Sequence, residues 1–292
     1  MTVSQLASKL ALGTVQLGLP YGINNSSGKP SDVAAFEILD AAVNHGIDLL
    51  DSAEAYGNSL EVIFNYLSRN PDAKLKVISK FIGKGERLTK TLDESMRTFK
   101  YNKLYAYMYH RFEDYVSGNY RADLNQLRKE GHILKTGVSL YQTAELSMVI
   151  KDKEIDIIQI PLNPFDLTDE KKDLLREAKI AGKEIHIRSV YLQGLFFMRP
   201  EELTGNLRPL ADALTRFRNL IQHYGIDVRQ ACLNYALRQE FVDYALIGVE
   251  TKKQLDENVA ALLPSFDDTL ISELERIPIP DKSLLNPANW KR

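Results

Sequence analysis

The chain has 292 residues, 44% of them hydrophobic, enough to close one large core in a single α/β barrel or to divide between two smaller domains. Its 37 Lys and Arg against 39 Asp and Glu give a net charge of -2, so there is no basic surface of the kind that nucleic acid or anionic lipid selects, and small neutral or anionic molecules remain as ligands. No apolar run reaches the ~20 residues of a membrane span, residues 1–9 lack the pattern of a signal peptide, and the single Cys232 permits neither an intrachain disulfide nor a thiolate metal site; a cytoplasmic protein is expected.

Short apolar segments alternate with amphipathic helical patterns along the chain. A first strand is expected at 10–13, with Gln16 and Tyr21 beyond it. A helix at 32–45 leads to a second strand at 47–51, which ends on Asp51 with Tyr56 in the following loop. A helix at 59–68 leads to a third strand at 76–80, ending on Lys80, and one at 88–99 to a fourth at 104–110, ending on His110 with Phe112 beyond. A helix at 120–130 leads to a fifth strand at 134–139, ending on Ser139. The sixth, 156–160, carries Gln159 and is followed by Phe165 and by a helix at 169–181 that opens on a solvated charge run. The seventh, 184–189, contains Arg188 and Ser189 and runs into Tyr191, Gln193, Gly194 and Phe196. After a helix at 210–223 and an apolar helical pattern at 228–237, where Cys232 reads as a small buried hydrophobe, the eighth strand is expected at 244–248. A helix at 252–262, capped by Thr251, follows, and 277–292 reads as a tail over the surface, anchored by Trp290. His45, His132, His186 and His223 have no ligand spacing and are assigned to structure, and no cluster suggests a metal.

Repeated βα units imply a parallel sheet. Without a linker or composition break, residues 1–292 are read as one domain. Eight units, with no G-x-G-x-x-G turn after the first strand, fit a closed (β/α)8 TIM barrel better than a doubly wound sheet. In such a barrel the loops at the C-terminal strand ends converge on one mouth. Asp51, Tyr56, Lys80 and His110 all fall there. Apolar neighbours would hold them at a partly desolvated floor where an unpaired charge is costly, so Asp51 and Lys80 are expected to neutralise each other. A phenol with pKa near ~10 is a poor acid at neutral pH, and Lys80 is expected to lower that of Tyr56, while His110 hydrogen-bonds a substrate carbonyl. Taken singly, each of these residues is more often a cap or a satisfied core group. Their joint placement points to general acid catalysis with charge stabilisation and no nucleophile, so a hydride-carrying cofactor is the missing partner.

The segment IDLLDSAEAYGN at 47–58, with Ser79-Lys80 and Tyr109-His110, resembles the aldo-keto reductase family. Leu12-Gly13-Thr14, Gly137-Val138-Ser139, Gln159 and Glu257-Asn258 extend the resemblance, in order, over nearly the whole chain. It implies Tyr56 as general acid, with Asp51, Lys80 and His110 completing a tetrad, and NADP(H), or less often NAD(H), extended across the barrel mouth. Gly13, Thr14 and Asp51 then adjoin the cofactor, and Ser139 and Gln159 hold the nicotinamide carboxamide. Ser189, Gln193 and Gly194 pack along the pyrophosphate. Ile247, Gly248, Val249, Thr251 and Gln254 form the last phosphate loop, and Glu257 and Asn258 contact adenine and ribose. The expected substrate pocket is Gln16, Tyr21, Tyr56, His110 and Tyr191; Phe112, Phe165 and Phe196 either join it or are ordinary packing.

The sequence departs from the family at three places. Glu250 and Gln254 weaken the expected 2′-phosphate clamp, which Lys252 and Lys253 partly replace. Leu140 stands where many relatives carry Asn. Arg188 stands near the position where many stack an aromatic ring on the nicotinamide; a guanidinium plane stacks similarly, meets a substrate anion, or pairs structurally. Residues 188–194 resemble a branch associated with sugar and cell-surface polysaccharide pathways, which implies a sugar-like carbonyl. The expected function is NAD(P)H-dependent reduction of an aldehyde or ketone, by a monomer or weak homo-oligomer whose partner is a small carbonyl substrate. The alternatives are a sugar isomerase or epimerase with internal redox chemistry, and a low-turnover nucleotide-sensing regulatory subunit.

Overall fold

Eight parallel strands close into a barrel in the order in which they occur along the chain, in a computed structural model that describes residues 1–23, 25, 27–85, 87, 88, 92 and 103–290. They are β1 Leu10–Gly13, β2 Leu49–Asp51, β3 Lys76–Phe81, β4 Leu104–Tyr109, β5 Ile133–Ser139, β6 Ile157–Pro161, β7 Glu184–Arg188 and β8 Tyr244–Gly248. Pairing of Leu12 with Ile247 joins β8 back to β1. Helices cover the outside, which is why strands such as β6 are buried along their whole length. The (β/α)8 barrel expected from the alternating pattern is the fold.

Strand boundaries shift by a residue or two from the expected ones, and some shifts have local causes. Ser189 adopts φ 62°, a left-handed conformation that no strand tolerates, so β7 stops at Arg188. Helices Val15–Gly18, Phe112–Ser117, Thr143–Ile150 and Asp268–Glu275 have no counterpart among the expected elements. All four are too short to show a convincing period of 3.6. Of the helix expected at 88–99, only Leu88 and Leu92 fall among the described residues. In the tail, Trp290 is buried and donates from Nε1 to the Leu284 carbonyl at 2.7 Å. No helix among the described residues is long and apolar enough to cross a membrane.

Side chains alternate across a strand with a period of two, and this layers the barrel interior. A middle layer holds Leu49, Ile78, Met108 and Ile157 in one apolar cluster. Two residues further along each strand come Asp51, Lys80, His110 and Gln159. The apolar layer thus sets the floor on which the polar groups stand. At the opposite, N-terminal end lies a polar network: Lys76 bonds Asp48 at 2.7 Å and the Tyr244 hydroxyl at 3.3 Å. Beside it Glu184 accepts from the Tyr105 hydroxyl at 2.8 Å, pairs with His186 Nε2 at 2.6 Å and bonds Lys135.

Candidate active site

Asp51 and Lys80 are 2% and 1% exposed. The Lys80 ammonium donates to Asp51 Oδ2 at 2.5 Å, and Gln159 Nε2 donates to Asp51 Oδ1 at 2.8 Å. Both carboxylate oxygens are therefore satisfied from two different strands, as burial of a charge requires. Lys80 Nζ lies 5.4 Å from the centre of the Tyr56 ring. The His110 ring meets that of Tyr56 edge-on, 5.7 Å between centres. The four residues expected to act together do converge.

Tyr56 is held by a close backbone approach. A Cβ on Gly18 would stand 1.8 Å from the Tyr56 carbonyl oxygen, and one on Gly57, at φ 56°, would stand 2.5 Å from the Gly18 carbonyl oxygen. Glycine is required at both positions for the loop after β2 to lie against the turn after β1. Buried hydroxyls tie the same two segments: Ser59 donates to Thr14 Oγ1 at 2.8 Å and to the Thr14 carbonyl at 2.9 Å, and Thr14 donates to the Asp51 carbonyl at 3.1 Å. Gly18 and Ser59 do not stand out in the sequence, because their partners lie on a different loop.

The electrostatics differ from expectation in one respect. Burial pushes the Tyr56 hydroxyl well above the usual phenol range; the Asp51 carboxylate adds to the rise, and the Arg188 charge opposes it. The expected lowering by Lys80 is not found, because Asp51 neutralises that ammonium at contact distance. Burial also lowers Lys80 itself, against the pull of Asp51. For His110, burial and then the Lys80 charge push the imidazole down to about 4, so it is neutral near pH 7.

These groups floor a cleft of about 540 Å³, within the range of ligand sites. Near Tyr56 and His110 its wall includes Gly13, Thr14, Gln16 and Tyr21 from the first loop, then Ser139 and Gln159. Leu140 is instead fully buried in the outer apolar core. Arg188 lines the cleft, stacked 4.2 Å from the Tyr141 ring centre and donating to the Leu140 carbonyl at 3.0 Å. The loop after β7 forms a further side through Ser189, Tyr191, Gln193 and Gly194. Leu192, Gln193 and Gly194 are consecutive left-handed residues, with φ of 47°, 51° and 96°. Such conformations are sparsely populated outside glycine and cluster where a fold holds a ligand clamp. Gln193 Nε2 donates to the Tyr21 hydroxyl at 2.7 Å, which joins this loop to the first.

Ile247, Gly248, Val249, Gln254 and Asn258 line the far end. Asn258 accepts from the Tyr191 hydroxyl at 2.5 Å. Thr251 and Glu257 do not line the cleft: Thr251 caps the helix Lys252–Ala260 by accepting from Gln254 N at 3.2 Å. Glu257 pairs with Arg229 at 2.9 Å. Of the three phenylalanines considered for the pocket, Phe165 and Phe196 stack on each other at 4.7 Å and Phe112 on Tyr115 at 5.7 Å, so all three are packing. Arg229, Phe197 and Tyr141 do line the cleft, and the sequence offered no signal for them. Among the described residues no three His, Cys, Asp or Glu side chains gather as metal ligands.

The cleft fits a polar dinucleotide. Three side chains that line it, Gln16, His110 and Gln193, each carry a buried polar atom without a hydrogen-bond partner among the described residues. Such atoms are costly unless a guest satisfies them. Ser139 and Gln159, 2% and 1% exposed, stand on the floor beside the catalytic candidates, with the chemistry to hold a carboxamide.

A sequence model described as the aldo/keto reductase family matches residues 9–279. The chain is 25% identical to aldo-keto reductase str7 of Strobilurus tenacellus over 282 residues, which covers 86% of this chain and 82% of that one. It is also 25% identical to the NADH-specific methylglyoxal reductase of Escherichia coli (strain K12) over 311 residues, 91% of this chain and 94% of the other. Among solved structures, the holo form of aldo-keto reductase AKR11C1 from Bacillus halodurans matches with a TM-score of 0.73 at 19% identity, covering 94% of each chain.

Proposed function

This chain belongs to the aldo/keto reductase family, whose members use NAD(P)H, and from that premise we propose that it reduces an aldehyde or ketone to an alcohol with Tyr56 as the proton donor. The observation that carries the reading is the convergence of Tyr56, His110 and the Asp51–Lys80 pair on one cleft floor beside Ser139 and Gln159.

When bound, the reduced dinucleotide supplies the hydride that reaches the carbonyl carbon. Ser139 and Gln159 would hold its carboxamide, and the loop after β7 its pyrophosphate. His110, kept neutral by burial, donates an N–H to the substrate oxygen and orients it. Burial keeps the Tyr56 hydroxyl protonated. As charge develops on the substrate oxygen it becomes more basic than a phenolate, so the proton passes from Tyr56 to that oxygen and the alcohol leaves neutral. The phenolate left behind is favoured by the positive charge of Arg188, since that of Lys80 is matched by Asp51. Asp51 keeps Lys80 in position.

Among the described residues, the cations near the far end of the cleft already have carboxylate partners: Lys252 with Asp256 at 2.6 Å, Arg229 with Glu257 at 2.9 Å, and Lys253 with Glu257 at 3.8 Å. Gln254 turns inward, its Oε1 accepting from Glu250 N at 2.7 Å, and Glu250 lines the cleft. This arrangement suits a ribose hydroxyl better than a phosphate dianion, so we read the reductant as NADH, against the NADPH that the family pattern favours. Calorimetric titration should find NADH bound about tenfold or more tighter than NADPH, a difference of about 1.4 kcal/mol. Glu250→Ser should narrow the gap.

Tyr56→Phe tests the main reading. Oxidation of NADH or NADPH, followed by absorbance over a panel of aldehydes, ketones and sugars, should fall by about two to four orders of magnitude while dinucleotide binding persists. Turnover equal to that of the native chain would refute the assignment.

A further inference from the structure

Arg188 stands apart from the other charges of the cleft. Asp51 and Lys80 cancel at 2.5 Å, and Arg229 is paired with Glu257 at 2.9 Å. The Arg188 guanidinium, half-buried, meets the Tyr141 ring at 4.2 Å, the Leu140 carbonyl at 3.0 Å and the Ser189 hydroxyl at 3.4 Å. It meets no carboxylate among the described residues. A planar cation with five donors, so held, keeps donors in reserve for a guest. Its charge also reaches the reaction centre, acting on Tyr56, Lys80 and His110 alike. Among the described residues, the end of the cleft where a carbonyl would react therefore carries one uncompensated positive charge in a partly desolvated wall, where attraction to an anion is stronger than in water.

We infer that Arg188 recognises a carboxylate on the substrate, so that the class reduced is a carbonyl compound bearing an acid group, such as an oxo acid or an acidic sugar. The inference rests on the reductase reading for the carbonyl half and on Arg188 alone for the acid half. The stack on Tyr141 and the bond to Leu140 fix the guanidinium plane before binding, which lowers the entropy lost when it meets a carboxylate in bidentate fashion. A neutral substrate would leave the charge half-buried and unpaired.

The test compares meta- and para-carboxybenzaldehyde with the matching carbamoyl aldehydes, which have the same shape and no charge. The readout is the ratio of kcat/KM for acid over amide, because any change in dinucleotide binding affects both alike. The native chain should prefer the better acid by about ten- to a hundredfold, as charge-assisted hydrogen bonds allow, and Arg188→Met should bring the ratio to about one. A native ratio near one, or a ratio unchanged in Arg188→Met, would overturn the inference; the second result would leave Arg188 to the dinucleotide.

A binding arm separates this inference from the reductase reading. Terephthalate and its neutral diamide, neither of which has an aldehyde to reduce, are titrated calorimetrically into the native chain and into Arg188→Met. Should no aldehyde be turned over, the reductase reading fails, and the titration still decides the matter of Arg188. Tighter binding of terephthalate that is lost in Arg188→Met supports the inference, and equal binding of the two overturns it.

Discussion

Lys80 and Asp51 form a buried pair in which each makes the other tolerable. Removing one partner of such a pair leaves a charge in a medium that cannot solvate it, so Lys80→Met should cost about 3 to 5 kcal/mol in urea unfolding. Adding Asp51→Asn should restore part of that loss, because no net charge then remains; a double variant as unstable as the sum of the singles would argue against the pairing. His110 makes the opposite kind of statement about pH. Its imidazole titrates near ~6.5 in an unfolded chain and is pushed down to about 4 in the fold. Between those values the unfolded state binds more protons, so stability falls as pH drops through 6.5 toward 4. Relative to His110→Asn, the native chain should lose about 2 to 3 kcal/mol more between about pH 7.5 and about pH 4.5, measured by urea titration at each pH. At the residue scale the sequence yielded the identities of the four catalytic candidates. It could not yield the protonation of Tyr56, because which charge faces the phenol is a matter of distances between strands.

Among the elements, the loops after β1 and β2 fix the position of Tyr56. Gly18 ends the short helix Val15–Gly18 and lies against the Tyr56 carbonyl. Gly18→Ala must push the two loops apart. Overpacking of this kind typically costs about 1 to 3 kcal/mol, and misplacement of a reacting group by about 1 Å can cost a hundredfold in rate. The expected outcome is a lower urea midpoint together with a fall in kcat of ten- to about a hundredfold; native turnover would show that the contact does not position the phenol. Strands and long helices were legible because their periods persist over enough residues to be counted. The turn carrying Gly18 and the helix Thr143–Ile150, which opens on a capping box of Gln142 and Glu145, were not, because each is set by a few local bonds.

On the scale of the whole barrel, one polar layer carries the proposed reaction and the other supports the fold. Glu184, at the N-terminal end, is held down to about 2, burial being outweighed by its bonds to His186, Lys135 and Tyr105. An acid whose folded pKa lies below its unfolded value contributes stability that is complete above pH ~4.5 and is lost as pH falls through about 2. Solvent at this partly open end screens the interaction, so Glu184→Gln should cost about 2 kcal/mol at neutral pH and flatten the acid branch of the unfolding curve. An unchanged acid branch would mean that another carboxylate governs it.

The sequence by itself determined the barrel and the identity of the groups at its mouth. Alternating periods of 2 and 3.6 dictate βα units, and interior positions recur every second residue, so a polar side chain two places beyond an apolar one, as Asp51 follows Leu49, must stand on the same face. Only the tertiary structure decided which of those groups are already paired. That outcome depends on distances between residues as far apart in the chain as Asp51 and Gln159 or Arg229 and Glu257. Charge interactions weaken with separation and strengthen as water is excluded, and neither quantity can be read from spacing along the chain. It is for this reason that the open charge of Arg188, beside the neutralised Lys80, emerges with the fold.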